Sequence, residues 1–154
     1  MHLEKEKKQW KINLKNFSLK NINNYINKME YLTPPVAYLE STDFDEEGNL
    51  MNNHLLSSNL PVFIMIQAVF CGHCTRAKPW FQEFAEKNVG KVICCSIQGD
   101  SDMKSVKELS NRIPKICPDF VGFPSYVVFN KGQMTTYKQG RKTEDLQKYL
   151  DEMN

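Results

Sequence analysis

The chain is predicted to be an α/β protein, with a central mixed β-sheet flanked by helices on both faces. Three observations predict it. Strand and helix signals alternate from Val36 onward; the segment Val62 to Ala68 is apolar without two-residue alternation; and a hairpin signal is followed by a final helix signal.

Residues 1–34 are read as an N-terminal helical extension, rich in Lys and Asn. Trp10, Ile12 and Leu14 alternate with polar residues, and Ile22, Tyr25, Ile26 and Met29 recur at helical spacing behind a cap at Ser18, so a helix is predicted to run to Tyr31. Pro34-Pro35 ends the extension. The folded domain is assigned to residues 35–154. It begins with a short apolar Val36 to Leu39, followed by a polar Asp43 to Asn59 with no clear element. Val62 to Ala68 suits a central strand buried on both faces. Ala77, Trp80, Phe81, Phe84 and Ala85 form the apolar stripe of a helix lying on that sheet, with Pro79 kinking it. Lys91 to Ile97 reads as another buried strand and Met103 to Ile113 as a helix. Ser125 to Asn130 and Gln133 to Lys138 make a hairpin around Lys131-Gly132. In the last helix Thr143 is the expected cap, Glu144 and Asp145 suit the N-terminal dipole, and Leu146, Tyr149, Leu150 and Met153 form the buried face.

Composition narrows the function. The 154 residues carry 20 basic and 18 acidic side chains, a formal net charge of +2, so total charge does not ask for nucleic acid. The basic residues Lys5, Lys7, Lys8, Lys11 and Lys15 read as a solvated face. Val62 to Phe70, the longest apolar stretch, is far shorter than the ~20 residues that span a bilayer, so no membrane span is expected. The opening residues are densely charged with no apolar run behind them, which argues against a secretory signal and for the cytoplasm by default. Abundant Asn, Lys and Ile fit an AT-rich genome, such as that of a protist or a large DNA virus; in the latter case a virion location is the alternative.

Five cysteines, two of them in Cys71-Gly72-His73-Cys74, point to redox or metal chemistry rather than a disulfide framework. The run follows the buried strand and opens a helix. Cys71 then sits at the helix N-terminus and Cys74 one turn later on the same face, so their sulfurs can bond. First-turn N–H groups and the helix dipole favour an anion there, and Cys71 is the expected nucleophile with a depressed pKa. His73, when protonated or donating a hydrogen bond, adds positive character that makes the pair more oxidising. The buried Cys74 is the expected resolving thiol. The metal reading, half of a zinc site, needs two more ligands at close spacing. Cys94 and Cys95 are adjacent in a strand and face opposite ways, and His2 and His54 lie in poorly defined regions, so no metal site is assigned and no cofactor is required. Cys94 and Cys95 are read as apolar packing, and Cys117 as either an inert loop cysteine or a regulatory thiol.

These residues resemble the thioredoxin superfamily, and Cys-Gly-His-Cys resembles the active site of protein disulfide isomerase domains. The likeness covers Val36 to Asn154, making residues 35–154 a thioredoxin-like domain. Phe70 stands where the family usually has tryptophan, Pro79 matches its helix-kinking proline, Gly122-Phe123-Pro124-Ser125 looks like its cis-proline loop, and Gly140-Arg141 resembles the segment ending its last strand. The resemblance implies a cis bond before Pro124, facing the sulfurs, and a groove at Phe70, Gly72, Phe123, Pro124 and Gly140 that takes an extended substrate segment. It implies thiol-disulfide exchange with protein substrates bearing disulfides or dithiols, together with an unidentified redox partner. The rival is a non-catalytic binding or structural module of the same fold. Two positions depart from the family: Met65 replaces its buried acid, and Val121 replaces an arginine common in the isomerases.

Overall fold

The computed structural model of the protein describes residues 31–153. Among these, strands β1 (Ala37–Tyr38), β2 (Val62–Gln67), β3 (Ile93–Gln98), β4 (Ser125–Asn130) and β5 (Gln133–Tyr137) form one sheet in the order β1-β3-β2-β4-β5. β1, β3 and β2 run parallel, while β2–β4 and β4–β5 are antiparallel, so the sheet is mixed as expected.

All six residues of β2 are buried, because both faces are covered. One face carries Phe63, Met65, Cys94, Tyr126 and Val128 against α2 (Gly72–Lys87) and α5 (Thr143–Glu152), through Ala77, Phe81, Phe84, Leu146 and Leu150. The other carries Ile64, Ile66, Cys95, Ile97 and Val127 against Leu55 of α1 (Asn53–Ser57) and against Leu109, Ile113 and Ile116. Cys94 and Cys95 thus point to opposite faces, as strand geometry requires. Each large apolar side chain enclosed this way contributes about 1.5–3 kcal/mol relative to exposure.

Three elements differ from expectation. Met103 to Ile113 is not one helix but α3 (Lys104–Lys107), a 3-10 stretch at Glu108–Arg112 and α4 (Ile113–Ile116). Pro114 lacks the N–H that would continue the ladder. Arg112 instead ties the segment to the carbonyls of Ser41 and Phe44, at 2.7 and 2.9 Å. The polar stretch before β2 hides α1, capped by the Asn52 side chain accepting from Leu55 N. Thr143 is not the cap of α5. That position is Lys142, whose N–H donates to Asp145 Oδ2 at 3.2 Å, while Thr143 Oγ1 lies 3.1 Å from both Trp80 O and Glu83 Oε2 and ties α5 to α2.

The helix expected from Ser18 to Tyr31 lies outside the described residues except for its last position. Leu32 is already core, and Thr33 exchanges hydrogen bonds with Gln82 of α2. No described helix is long and apolar enough to cross a membrane.

Candidate active site

The chain leaves β2 at Gln67 and turns through Ala68, Val69 and Phe70 into α2, at the carboxyl end of a central parallel strand, where α/β sheets place ligands. Cys71 is the N-cap of α2. Its sulfur accepts the N–H of Cys74 at 3.2 Å, the place a serine or aspartate oxygen usually fills. The carbonyl of Cys71 already receives Thr75 N at 3.0 Å, so the residue is locked to the first turn. A sulfur aimed at unsatisfied N–H groups and the positive end of a 16-residue helix sits where negative charge is stabilised.

The two thiols are unequal in access. Cys71 is half-buried, whereas Cys74 is completely enclosed. Burial pushes the Cys74 thiol up to about 12, helped by its hydrogen bond with Cys71 and by the Cys71 charge. Backbone hydrogen bonding at Ala68 and the Lys78 charge act the other way. In the resting dithiol, Cys74 therefore holds its proton.

The loop before β4 closes the site. The Phe123-Pro124 bond is cis, as the resemblance implied, and Phe123 O lies 3.5 Å from Cys71 Sγ. Phe70 is 75% exposed, with its ring edge-on to Phe123 at 6.3 Å, and Val121 is 98% exposed beside Gly122. Cys71, Phe70, Phe123 and the cis-proline loop are therefore assembled in one place. Gly72 opens α2 with nothing near the position of a Cβ. The Gly140 carbonyl accepts Tyr137 Oη at 2.5 Å, and a side chain at Gly140 would collide with the Asp145 carboxylate. Its neighbour Arg141, with Pro124, Tyr126 and Cys117, lines a cavity of about 440 Å³. Cys117 itself is buried, its sulfur 3.9 Å from Thr136 Oγ1.

His73 is exposed, and its Nδ1 lies 2.8 Å from a nitrogen of Arg76. A guanidinium only donates, so Nδ1 is the acceptor in this contact. In this arrangement the positive charge beside the first turn belongs to Arg76.

Two residues absent from the sequence reading hold the site. Asp100, just past β3, accepts Val69 N at 3.0 Å and Phe70 N at 3.5 Å, pinning the approach to Cys71. Gly99 donates to Gln67 O at 2.7 Å, and any side chain there would strike the Phe123 ring. A Gly-Asp pair ending a strand was the available signal, but its partners lie some thirty residues away. Among the described residues no group of three or more His, Cys, Asp or Glu is placed to hold a metal.

A mixed five-stranded sheet, paired cysteines opening its central helix and a cis-proline loop against them define the thioredoxin-fold class of proteins. The chain belongs to the thioredoxin family, which it matches over residues 42–152. It is 44% identical over 117 residues to a thioredoxin-like protein, 453L, of Invertebrate iridescent virus 6, covering 69% of this chain and 83% of that one. It is 28% identical over 166 residues to the protein disulfide-isomerase ER-60 of Schistosoma mansoni, covering 94% of this chain but only 31% of the relative. Among solved structures, the first thioredoxin domain of mouse protein disulfide-isomerase A4 shares the fold, with TM-score 0.57, 21% identity and coverage of 80% and 78%. Chloroplastic thioredoxin z does so with TM-score 0.58, 15% identity and coverage of 80% and 97%.

Proposed function

We propose that the protein is a thiol-disulfide oxidoreductase acting on protein substrates, with Cys71 as nucleophile and Cys74 as resolving thiol. The observation that carries this reading is the asymmetry of the pair: a reachable sulfur held by the Cys74 N–H at 3.2 Å, and an enclosed sulfur one turn behind it. Cys71 thiolate attacks a substrate disulfide, one substrate sulfur leaves as thiolate, and a mixed disulfide forms. Cys74 then attacks Cys71, the second substrate sulfur leaves and takes up a proton, and Cys71–Cys74 becomes the disulfide. Two electrons pass from protein to substrate. The reverse sequence oxidises a substrate dithiol.

Exposed Phe70 before Cys71 and exposed Val121 in the cis-proline loop suit an extended substrate segment with apolar side chains, and the Phe123 backbone suits strand-like pairing with it. His73 tunes the couple through its contact with Arg76. The relatives named as thioredoxin-like and as disulfide isomerases support the activity class. A cytoplasmic setting, with an electron donor of thiol chemistry, is our reading of where it works.

Insulin reduction tests the activity. Wild type is expected to precipitate the insulin B chain in the presence of dithiothreitol, faster than dithiothreitol alone, and Cys71→Ser to fall to the background rate. Equal rates for both proteins across several donors would instead support the binding-module reading. The reduction potential then separates the directions, since a value near or below the cytosolic glutathione poise marks a reductase and a clearly higher one an oxidant.

A further inference from the structure

We propose that Lys78, together with the Tyr126 hydroxyl, is the electrostatic partner of Cys74, favouring its thiolate once Cys71 is engaged in a mixed disulfide. The proposal rests on the oxidoreductase reading above and names the residues that serve its second step.

Lys78 is completely buried, which is rare for lysine. It lies four residues beyond Cys74 in α2, on the same helical face, and Cys74 is as fully enclosed. On the sheet beneath, among the described residues, Met65 pairs directly with Tyr126 across β2 and β4, in the same cluster as Cys94 and Ala77. Tyr126 brings a hydroxyl into that apolar layer, 3% exposed and without a hydrogen-bond partner among the described residues. A buried hydroxyl left unsatisfied costs free energy, and a nearby thiolate is an acceptor that would use it.

Among the described residues, the charged and titratable groups that act on Cys74 come from two elements. From α2 come Cys71 and Lys78, and from β4 Tyr126, which in turn feels Arg141 and Tyr137. Burial raises the Tyr126 phenol well above its ordinary value, so it stays a neutral donor. Of the influences that raise Cys74, burial persists throughout the cycle, whereas the hydrogen bond and charge of Cys71 disappear when Cys71 enters a disulfide. Lys78 and the backbone at Ala68 then oppose burial alone. Cys74 loses its proton to water, its thiolate attacks Cys71 Sγ, the bond from Cys71 to substrate breaks, and the departing substrate thiolate takes up a proton. Lys78 and Tyr126 neither gain nor lose one.

The test is a titration of Cys74 by its ¹³Cβ shift in a Cys71→Ser background, which reads the group without any catalysis. Lys78→Met is expected to lower the thiolate fraction at a given pH by about tenfold, a midpoint one unit higher, and Lys78→Arg to restore it to within about threefold. Tyr126→Phe is expected to lower it about threefold, and serves alone if Lys78→Met fails to fold. A midpoint that moves by less than the equivalent of twofold in every folded variant overturns the proposal. In the native background, Lys78→Met is expected to slow resolution of a mixed disulfide with glutathione about tenfold at pH 7, with Cys71 alkylation unchanged within about twofold. Equal resolution rates would also overturn it. A wild type with no exchange activity would sink the oxidoreductase reading, while the titration would still decide the role of Lys78.

Discussion

Asp100 shows how a single side chain sets the geometry at a cysteine it does not touch. Its carboxylate satisfies the N–H groups of Val69 and Phe70, which otherwise leave β2 without partners. Asp100→Ala is expected to cost about 1–2 kcal/mol in urea unfolding, the worth of a charge-assisted hydrogen bond, and to lower turnover several-fold. Asp100→Asn should recover most of the stability, since its amide oxygen still accepts. At Gly140 an added methyl would strike the Asp145 carboxylate and disturb its acceptance of the Lys142 N–H, so Gly140→Ala is expected to lose about 1 kcal/mol in the same measurement. The placement of Cys71 and Cys74 at a helix start was legible in the sequence because the run and its strand-then-helix context are local, whereas the cis bond before Pro124 came from the resemblance of its loop. Asp100, Gly99, Lys78 and Tyr126 were not legible, because their meaning lies in contacts with distant segments. The pairing of Met65 with Tyr126 spans 61 residues and exists only once β4 lies beside β2.

Among the elements, the β4–β5 hairpin turns on Lys131 and Gly132 with φ of +51° and +81°, the left-handed pair that a two-residue connection requires. Lysine tolerates that region less well than asparagine. Lys131→Asn is therefore expected to stabilise the protein by about 0.5 kcal/mol, read as a small rise in melting temperature, with activity unchanged. Elements with strong periodicity were readable: β2 from its unbroken apolar run, α2 and α5 from their stripes, the hairpin from its turn. The segment from Met103 to Ile113 misled because Val106, Leu109 and Ile113 repeat at three and four residues as along an α-helix, while the 3-10 stretch at Glu108–Arg112 interrupts it between two short helices. Helix α1 was invisible because five residues with one buried position, Leu55, carry no measurable period. Thr143 looked like a cap by residue type, but its hydroxyl reaches α2 instead.

For the molecule as a whole, several enclosed protons link stability to pH. In the fold, burial foremost pushes the thiols of Cys74 and Cys95 up to about 12, from 9.0, and the phenols of Tyr38 and Tyr137 to about 12, from 10.0. Cys94 and Tyr126 are raised for the same leading reason. A folded state that holds these protons more tightly keeps its full advantage below the unfolded values, and loses it as pH rises from about 9 through about 12. Under reducing conditions the melting temperature is expected to fall by about 5 °C or more between pH 8 and pH 10.5; an unchanged value would contradict the enclosure of these groups. On the acid side, Asp45 is lowered by hydrogen bonds from Asn49 and Glu83 by the one with Lys87, so their small, solvent-screened contributions are present at neutral pH and lost as pH falls below the usual carboxylate range. The mixed sheet with helices on both faces was readable from element order, whereas the placement of β3 between β1 and β2 was settled by packing of both faces around β2.

The measurement that bears most directly on the unequal pair is trapping of a disulfide-bonded substrate. Cys74→Ser, incubated with insulin, is expected to accumulate a covalent complex through Cys71 that wild type releases and Cys71→Ser never forms. A Cys74→Ser protein that forms no complex, or one joined through another cysteine, would contradict the account.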